Sequence, residues 1–189
     1  MIRDIFSTPI YDEIVENDSC KQLIIKKLNN SIKSNTLNKV SNVGGTQTLP
    51  FYDKDLTNTI SKSFKSYTDL LNKREKVKWK ILNYWINVNR ESDFNMPHSH
   101  VTFQIHFSGI WYLNVPKDSG NLVFINPDRT LEISNTFNYF DHPFTYADYL
   151  IVPENNKLIL FPSNVTHYVE PSRTKEDRIS VAFNIGLYT

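Results

Sequence analysis

The chain has 189 residues, 40% of them hydrophobic and 13% aromatic, enough apolar material for a packed core and too much for a disordered chain. Its 21 Lys and Arg against 20 Asp and Glu leave a net charge of +1, which argues against a nucleic-acid partner held by a clustered basic surface. A single cysteine, Cys20, excludes internal disulfides and cysteine-built zinc sites.

The opening "MIRDIFSTPIYDEIVEND" carries acids early and has no apolar run, so it does not read as a signal peptide. No stretch approaches a membrane span. A cytoplasmic protein is expected, without nucleic-acid or membrane partners. In "NDSCKQLIIKKLNNSIKSN" the spacing of Leu23, Ile24, Lys27, Leu28 and Ile32 predicts a helix, with Asp18 or Ser19 as N-cap. "SNVGGTQTLPFYD" reads as a loop, punctuated by Gly44, Gly45 and Pro50. A second helix follows in "DKDLTNTISKSFKSYTDLLNKR", its stripe formed by Leu56, Ile60, Phe64, Tyr67 and Leu71.

From Val77 the period changes to two. "VKWKILNYWINVN", "FSGIWYLNVP", "GNLVFINP", "NKLILFP" and "RISVAFNIGLY" are strands rich in β-branched and aromatic residues. "PKDSGN" reads as a hairpin turn between two of them. The insert over roughly 127–150 carries Phe137, Tyr139, Phe140, His142, Phe144, Tyr146 and Tyr149. Arg129–Tyr149 is expected either to act as a lid together with Val43–Tyr52 or to pack its rings as a satellite core against the N-terminal helices. One domain over 1–189 is expected, with a helical part (1–76) before a mainly β core (77–189), a sandwich or barrel of antiparallel strands.

Three of the five histidines fall in "PHSHVTFQIHFSG". On an extended strand His98 and His100 point to one face, together with Thr102, Gln104, His106 and Tyr112. Two imidazoles at i and i+2 reach one point, as metal ligands must; chance or packing is the alternative for an HxH alone. His167 opens a later strand in "HYVEP". Arg178 and Ser180 share a face in "DRISVAFNI", where a guanidinium fork beside a hydroxyl suits a carboxylate. Asn87 and Asn89 lie just before the metal motif and either line the pocket or end a strand.

Taken in order, HxH, "GIWYLN", "SGNLVF", "LILFPS…H" and "RIS" resemble the iron(II)/2-oxoglutarate-dependent dioxygenases, in particular a prolyl-4-hydroxylase-like branch of bacteria and phages. The resemblance runs from about Asn83 to Ile185, and "IFSTPIY" is similar to that branch's opening strand. It implies a double-stranded β-helix (jelly roll) with flanking N-terminal helices. It also implies Fe(II) and 2-oxoglutarate as cofactors, and oxidation of a C–H bond in a peptide, amino acid or small metabolite.

Carried over residue by residue, His98 and His167 are metal ligands. Arg178, Ser180 and Tyr112 grip the far carboxylate of 2-oxoglutarate. His100 stands where the superfamily usually has a carboxylate, so the metal set is His98, His100 and His167. His106 is a pocket neighbour or a core histidine, and His142 an exposed residue or a substrate contact. Two rival readings remain at this point. In one, "HSHVTFQ" is a cupin motif with Gln104 in its carboxylate position. In the other, the jelly roll is a binding or structural module without catalysis.

Overall fold

The period-two segments become two antiparallel sheets in the computed structural model of the chain, which describes residues 6–38, 40–74, 76–127 and 139–189. The elements run β1 (Tyr11–Ile14), α1 (Asp18–Lys33), β2 (Leu37–Asn38), β3 (Asn42–Val43), β4 (Thr46–Thr48) and α2 (Lys54–Leu70). They continue with β5 (Lys78–Asn89), β6 (Phe94–His98), β7 (Phe107–Asn114), β8 (Leu122–Ile125), β9 (Asp148–Ile151), β10 (Lys157–Pro162), β11 (His167–Val169) and β12 (Arg178–Tyr188). The larger sheet has the order β1-β10-β7-β12-β5-β4-β2 and the smaller β3-β6-β11-β8-β9. Together they form the mainly β double-stranded β-helix, with two helices outside it.

Alternation assigns each face of the larger sheet. Tyr84, Ile86 and Val88 of β5, Trp111 and Leu113 of β7, Leu158 and Leu160 of β10, and Val181 and Phe183 of β12 pack outward. They meet Cys20, Ile24 and Leu28 of α1 and Leu56, Ile60, Phe64 and Tyr67 of α2. Each fully buried aliphatic or Phe side chain here contributes roughly 1.5–3 kcal/mol. The opposite parity faces the smaller sheet, where Tyr112, Ile159 and Phe161 join Leu122, Phe124, Val165 and Val169 in a second cluster. Both faces of β12 are therefore covered, which is why its sequence reads as one nearly continuous apolar run with polar residues at chosen points.

Several local expectations are corrected. Asn17 caps α1, accepting from Cys20 N at 3.1 Å, where Asp18 or Ser19 was expected. Asp53 caps α2 through Leu56 N at 2.9 Å. Ile32, in the last turn of α1, and Leu71, the C-cap of α2, read as core, are exposed. The stretch read as a loop around Gly44 and Gly45 holds β3 and β4; β4 pairs with β5 (Thr46↔Val88, Gln47↔Asn87) and β3 with β6.

"PKDSGN" is no hairpin. It carries the chain from β7 in one sheet to β8 in the other, turning with Asp118 and Gly120 at positive φ. A Cβ at Gly120 would lie 2.2 Å from Glu170 O, so only glycine fits that turn. The opening strand starts at Tyr11, after most of "IFSTPIY" has passed. Strands β1 to β4, all before residue 77, are built into the two sheets, so the helical and β parts of the chain interleave.

Candidate active site

Between the sheets lies a cavity of about 320 Å³, lined from β4, β5, β6, β7, β8, β10, β11 and β12. At one end His98, His100 and His167 come together, with one ring nitrogen from each lying within 4.8 Å of the others. Strand pairing sets two of them: β11 opposes β6 with His167 directly across from His98. The His98 and His167 ring centroids are 4.4 Å apart.

His100 lies just beyond the end of β6, so the expectation that all three ligands sit on strands is corrected for this residue. It is placed by its own main chain, whose N–H donates to Ser163 O at 2.9 Å. Ser163 also donates its N–H to His106 O at 3.0 Å, so this one residue closes the loop between His100 and His106. The Trp85 ring stands against His100, with centroids 5.8 Å apart.

The tautomers follow from the partners. Nδ1 of His98 donates to Met96 O at 2.7 Å, and Nδ1 of His167 to Val165 O at 3.0 Å. A carbonyl can only accept, so both rings keep Nε2 as a bare lone pair. Burial, reinforced by repulsion from the His98 ring, drives His167 down to about 3 and His100 to about 4, and burial lowers His98 as well. All three rings are neutral at pH 7, the form that ligates a metal.

Arg178 begins β12 at the other end of the cavity and is 1% exposed. Its Nη1 lies 3.4 Å from Ser119 O and 3.5 Å from Gly120 O, and Nη2 donates to the Tyr112 hydroxyl at 3.3 Å. Its Nε has no partner. The neighbouring acid, Asp177, is turned outward onto Arg90. Among the described residues no carboxylate pairs with Arg178, an expensive state for a buried cation.

Burial raises the Tyr112 hydroxyl despite the opposing pull of Arg178, so it stays protonated. Because its oxygen accepts from Arg178, its proton is left to donate. Ser180 is 2% exposed and lines the same cavity. The expected site residues thus gather at two ends of one cavity, with Tyr112 reaching it through Arg178 and not as part of the wall.

Others are not brought to it. His106 is exposed, with Nδ1 accepting from Leu187 N, because residues 101–106 leave the strand and parity no longer applies. Gln104, the cupin carboxylate position, is exposed on the same loop. Phe51 packs under Tyr84 and Lys27, and Tyr52 against Tyr84, so neither faces the cavity; nor do Tyr139 and Phe140 line it. Phe137, with residues 128–138 of the insert, lies outside the described residues.

The sequence reading missed Gln47, Asn95, Trp85 and Ser163. Trp85 was in view through its shared parity with Asn87 and Asn89, which do line the cavity. Gln47 was hidden inside the stretch taken as a loop.

Against known proteins, residues 83–184 match the family described as "Putative 2OG-Fe(II) oxygenase". The chain belongs to this family. As a 2OG-Fe(II) oxygenase it is an enzyme, and the cupin and non-catalytic readings are set aside.

The oxygenase resembles a Pseudomonas putida prolyl-4-hydroxylase (13% identity, 95% of this chain and 94% of that one, TM-score 0.65). It also resembles a viral collagen prolyl hydroxylase from Paramecium bursaria Chlorella virus-1 in its 2OG complex (16%, 93% and 94%, TM-score 0.59). A third likeness is to HygX from Streptomyces hygroscopicus with nickel and 2-oxoglutarate bound (9%, 95% and 83%, TM-score 0.63). At these identities the likeness concerns the fold. No protein of curated function matches the sequence. Among the described residues no helix is long and apolar enough to cross a membrane.

Proposed function

We propose that His98, His100 and His167 hold Fe(II), that Arg178 with Tyr112 and Ser180 holds the far carboxylate of 2-oxoglutarate, and that the enzyme hydroxylates a C–H bond of a peptide, amino acid or small metabolite. The observation that carries this reading is one cavity with neutral, converging imidazoles at one end and a buried arginine lacking a carboxylate at the other. The donor sets fit both groups. Two bare Nε2 atoms and a third neutral ring suit a divalent metal, and the orphaned Nε with its planar fork suits a dianion's carboxylate.

Bound together, the metal and 2-oxoglutarate supply the oxidising power, spending O2 and releasing succinate and carbon dioxide. The chain supplies position. The Met96 and Val165 carbonyls lock the His98 and His167 rings, and Ser163 fixes the backbone of His100. Arg178 and the Tyr112 hydroxyl orient the co-substrate along the cavity. Leu122, Phe161 and Val169 keep one wall dry. Among the described residues Arg178 is the one charged side chain lining the cavity, and none of them supplies an acid–base carboxylate there.

His100 in place of a carboxylate leaves the site one unit more positive, which favours an anionic co-substrate. With a single cysteine and so no internal disulfide to maintain, the chain suits a reducing compartment, and we place this work in the cytoplasm. The test is succinate release by Fe(II)-loaded protein against panels of peptides and free amino acids. Substrate-stimulated succinate that is lost in Arg178→Ala at low 2-oxoglutarate supports the reading; no succinate from any mixture contradicts it.

A further inference from the structure

Asn87 is the unexplained group of the cavity. It is 8% exposed and lines the wall, and its Oδ1 is buried with no hydrogen-bond partner. Register places it directly across from Ser180 on one side and from Gln47 on the other, while Ser180 in turn opposes Tyr112. Directly opposed residues on one face have Cβ atoms about 4.5–5.5 Å apart. Gln47, Asn87, Ser180 and Tyr112 therefore form one polar row across four strands, beside Arg178.

The residue type is telling as well. The positions opposite Ser180 and Arg178 on β5 are Asn87 and Asn89, both carboxamides in a chain with 20 Asp and Glu. A carboxylate at either would neutralise Arg178 within the protein and close it to a ligand. A carboxamide of the same shape leaves the cation free and adds an N–H donor. An amide with its oxygen shut away has its NH2 to offer, and the ligand group beside Ser180 on the proposed reading is an acceptor.

We infer that Asn87 is a further co-substrate ligand, donating from Nδ2 to the far carboxylate of 2-oxoglutarate and completing a cradle with Arg178, Tyr112 and Ser180. This rests on the function proposed above. Donation to a carboxylate is charge-assisted, and its loss is expected to weaken binding about tenfold.

The test is anaerobic calorimetric titration of 2-oxoglutarate into the Fe(II)-loaded protein, for the wild type and for Asn87→Ala, Asn87→Asp and Arg178→Ala, with Fe(II) affinity measured alongside. Asn87→Ala is expected to raise the 2-oxoglutarate Kd about tenfold, and Asn87→Asp to raise it further by setting like charges together, both with Fe(II) affinity unchanged. Unchanged 2-oxoglutarate binding in Asn87→Ala, or unchanged or tighter binding in Asn87→Asp, the variant closest in shape and so the safest to fold, overturns the inference. If Arg178→Ala weakens binding while the Asn87 variants do not, only the role of Asn87 fails. If Arg178→Ala also leaves the Kd unchanged, the underlying reading of the cavity fails.

Discussion

His98 and His167 are cross-strand partners: the first residue of β11 sits directly opposite the last residue of β6, and their rings lie 4.4 Å apart. The separation of 69 residues in sequence is closed by a single register. On this account His167→Ala removes a ligand and also leaves His98 facing a void. The expected result is a fall in Fe(II) affinity of at least a hundredfold with the fold retained, read by metal titration and circular dichroism. Wild-type affinity in that variant would place the metal elsewhere.

Acid should destabilise the metal-free protein early. His100 and His167 are held near 4 and 3 in the fold, whereas unfolded histidine titrates near 6.5. Their stabilising contribution is present above pH 6.5 and is lost as pH falls toward those folded values, at up to about 1.4 kcal/mol per group per pH unit. Between pH 6.5 and 5 the loss is roughly 1.5 kcal/mol for each. Denaturant midpoints of the metal-free protein across this range check it; a flat profile would show that the rings are not kept neutral.

Gly109 on β7 touches Phe183 and the backbone of β10. An added Cβ would lie 2.3 Å from the Phe183 ring and 2.8 Å from Ile159 O. Gly109→Ala is expected to lose about 1–3 kcal/mol, because the buried Phe183 ring and the β10 backbone must shift to admit the Cβ. An unchanged denaturant midpoint would contradict that packing.

Asp53→Ala is expected to cost about 1 kcal/mol through the lost cap of α2, with 2-oxoglutarate affinity unaffected because the helix packs on the far face of the larger sheet. Parallel denaturation and ligand titration measure both effects.

Much of the β core was legible because period two and turn chemistry are local. β5, β7, β8, β10 and β12 fall within "VKWKILNYWINVN", "FSGIWYLNVP", "GNLVFINP", "NKLILFP" and "RISVAFNIGLY". Arg178 and Ser180 share the cavity face as parity required. What was not legible depends on partners distant in sequence. Thr46–Thr48 becomes a strand only because β5 offers it an edge, so glycine punctuation was read as a loop. "PKDSGN" has hairpin chemistry, yet its flanking strands pair with other neighbours. His106 shares parity with His100 in sequence, but the Ser163 clamp bulges the intervening residues out of the strand. The helix N-cap moved by one residue because Asn17 precedes two other residues capable of the same role.

The most direct test of the account is anaerobic absorption spectroscopy of the Fe(II)-loaded protein during titration with 2-oxoglutarate. The account predicts a weak visible charge-transfer band that saturates with one equivalent bound, is absent in His167→Ala, and in Arg178→Ala needs at least tenfold more 2-oxoglutarate, as expected for losing a charge-assisted contact of about 1.5–3 kcal/mol. A protein that binds Fe(II) but develops no band at any 2-oxoglutarate concentration, or an Arg178→Ala variant that titrates like the wild type, would contradict it.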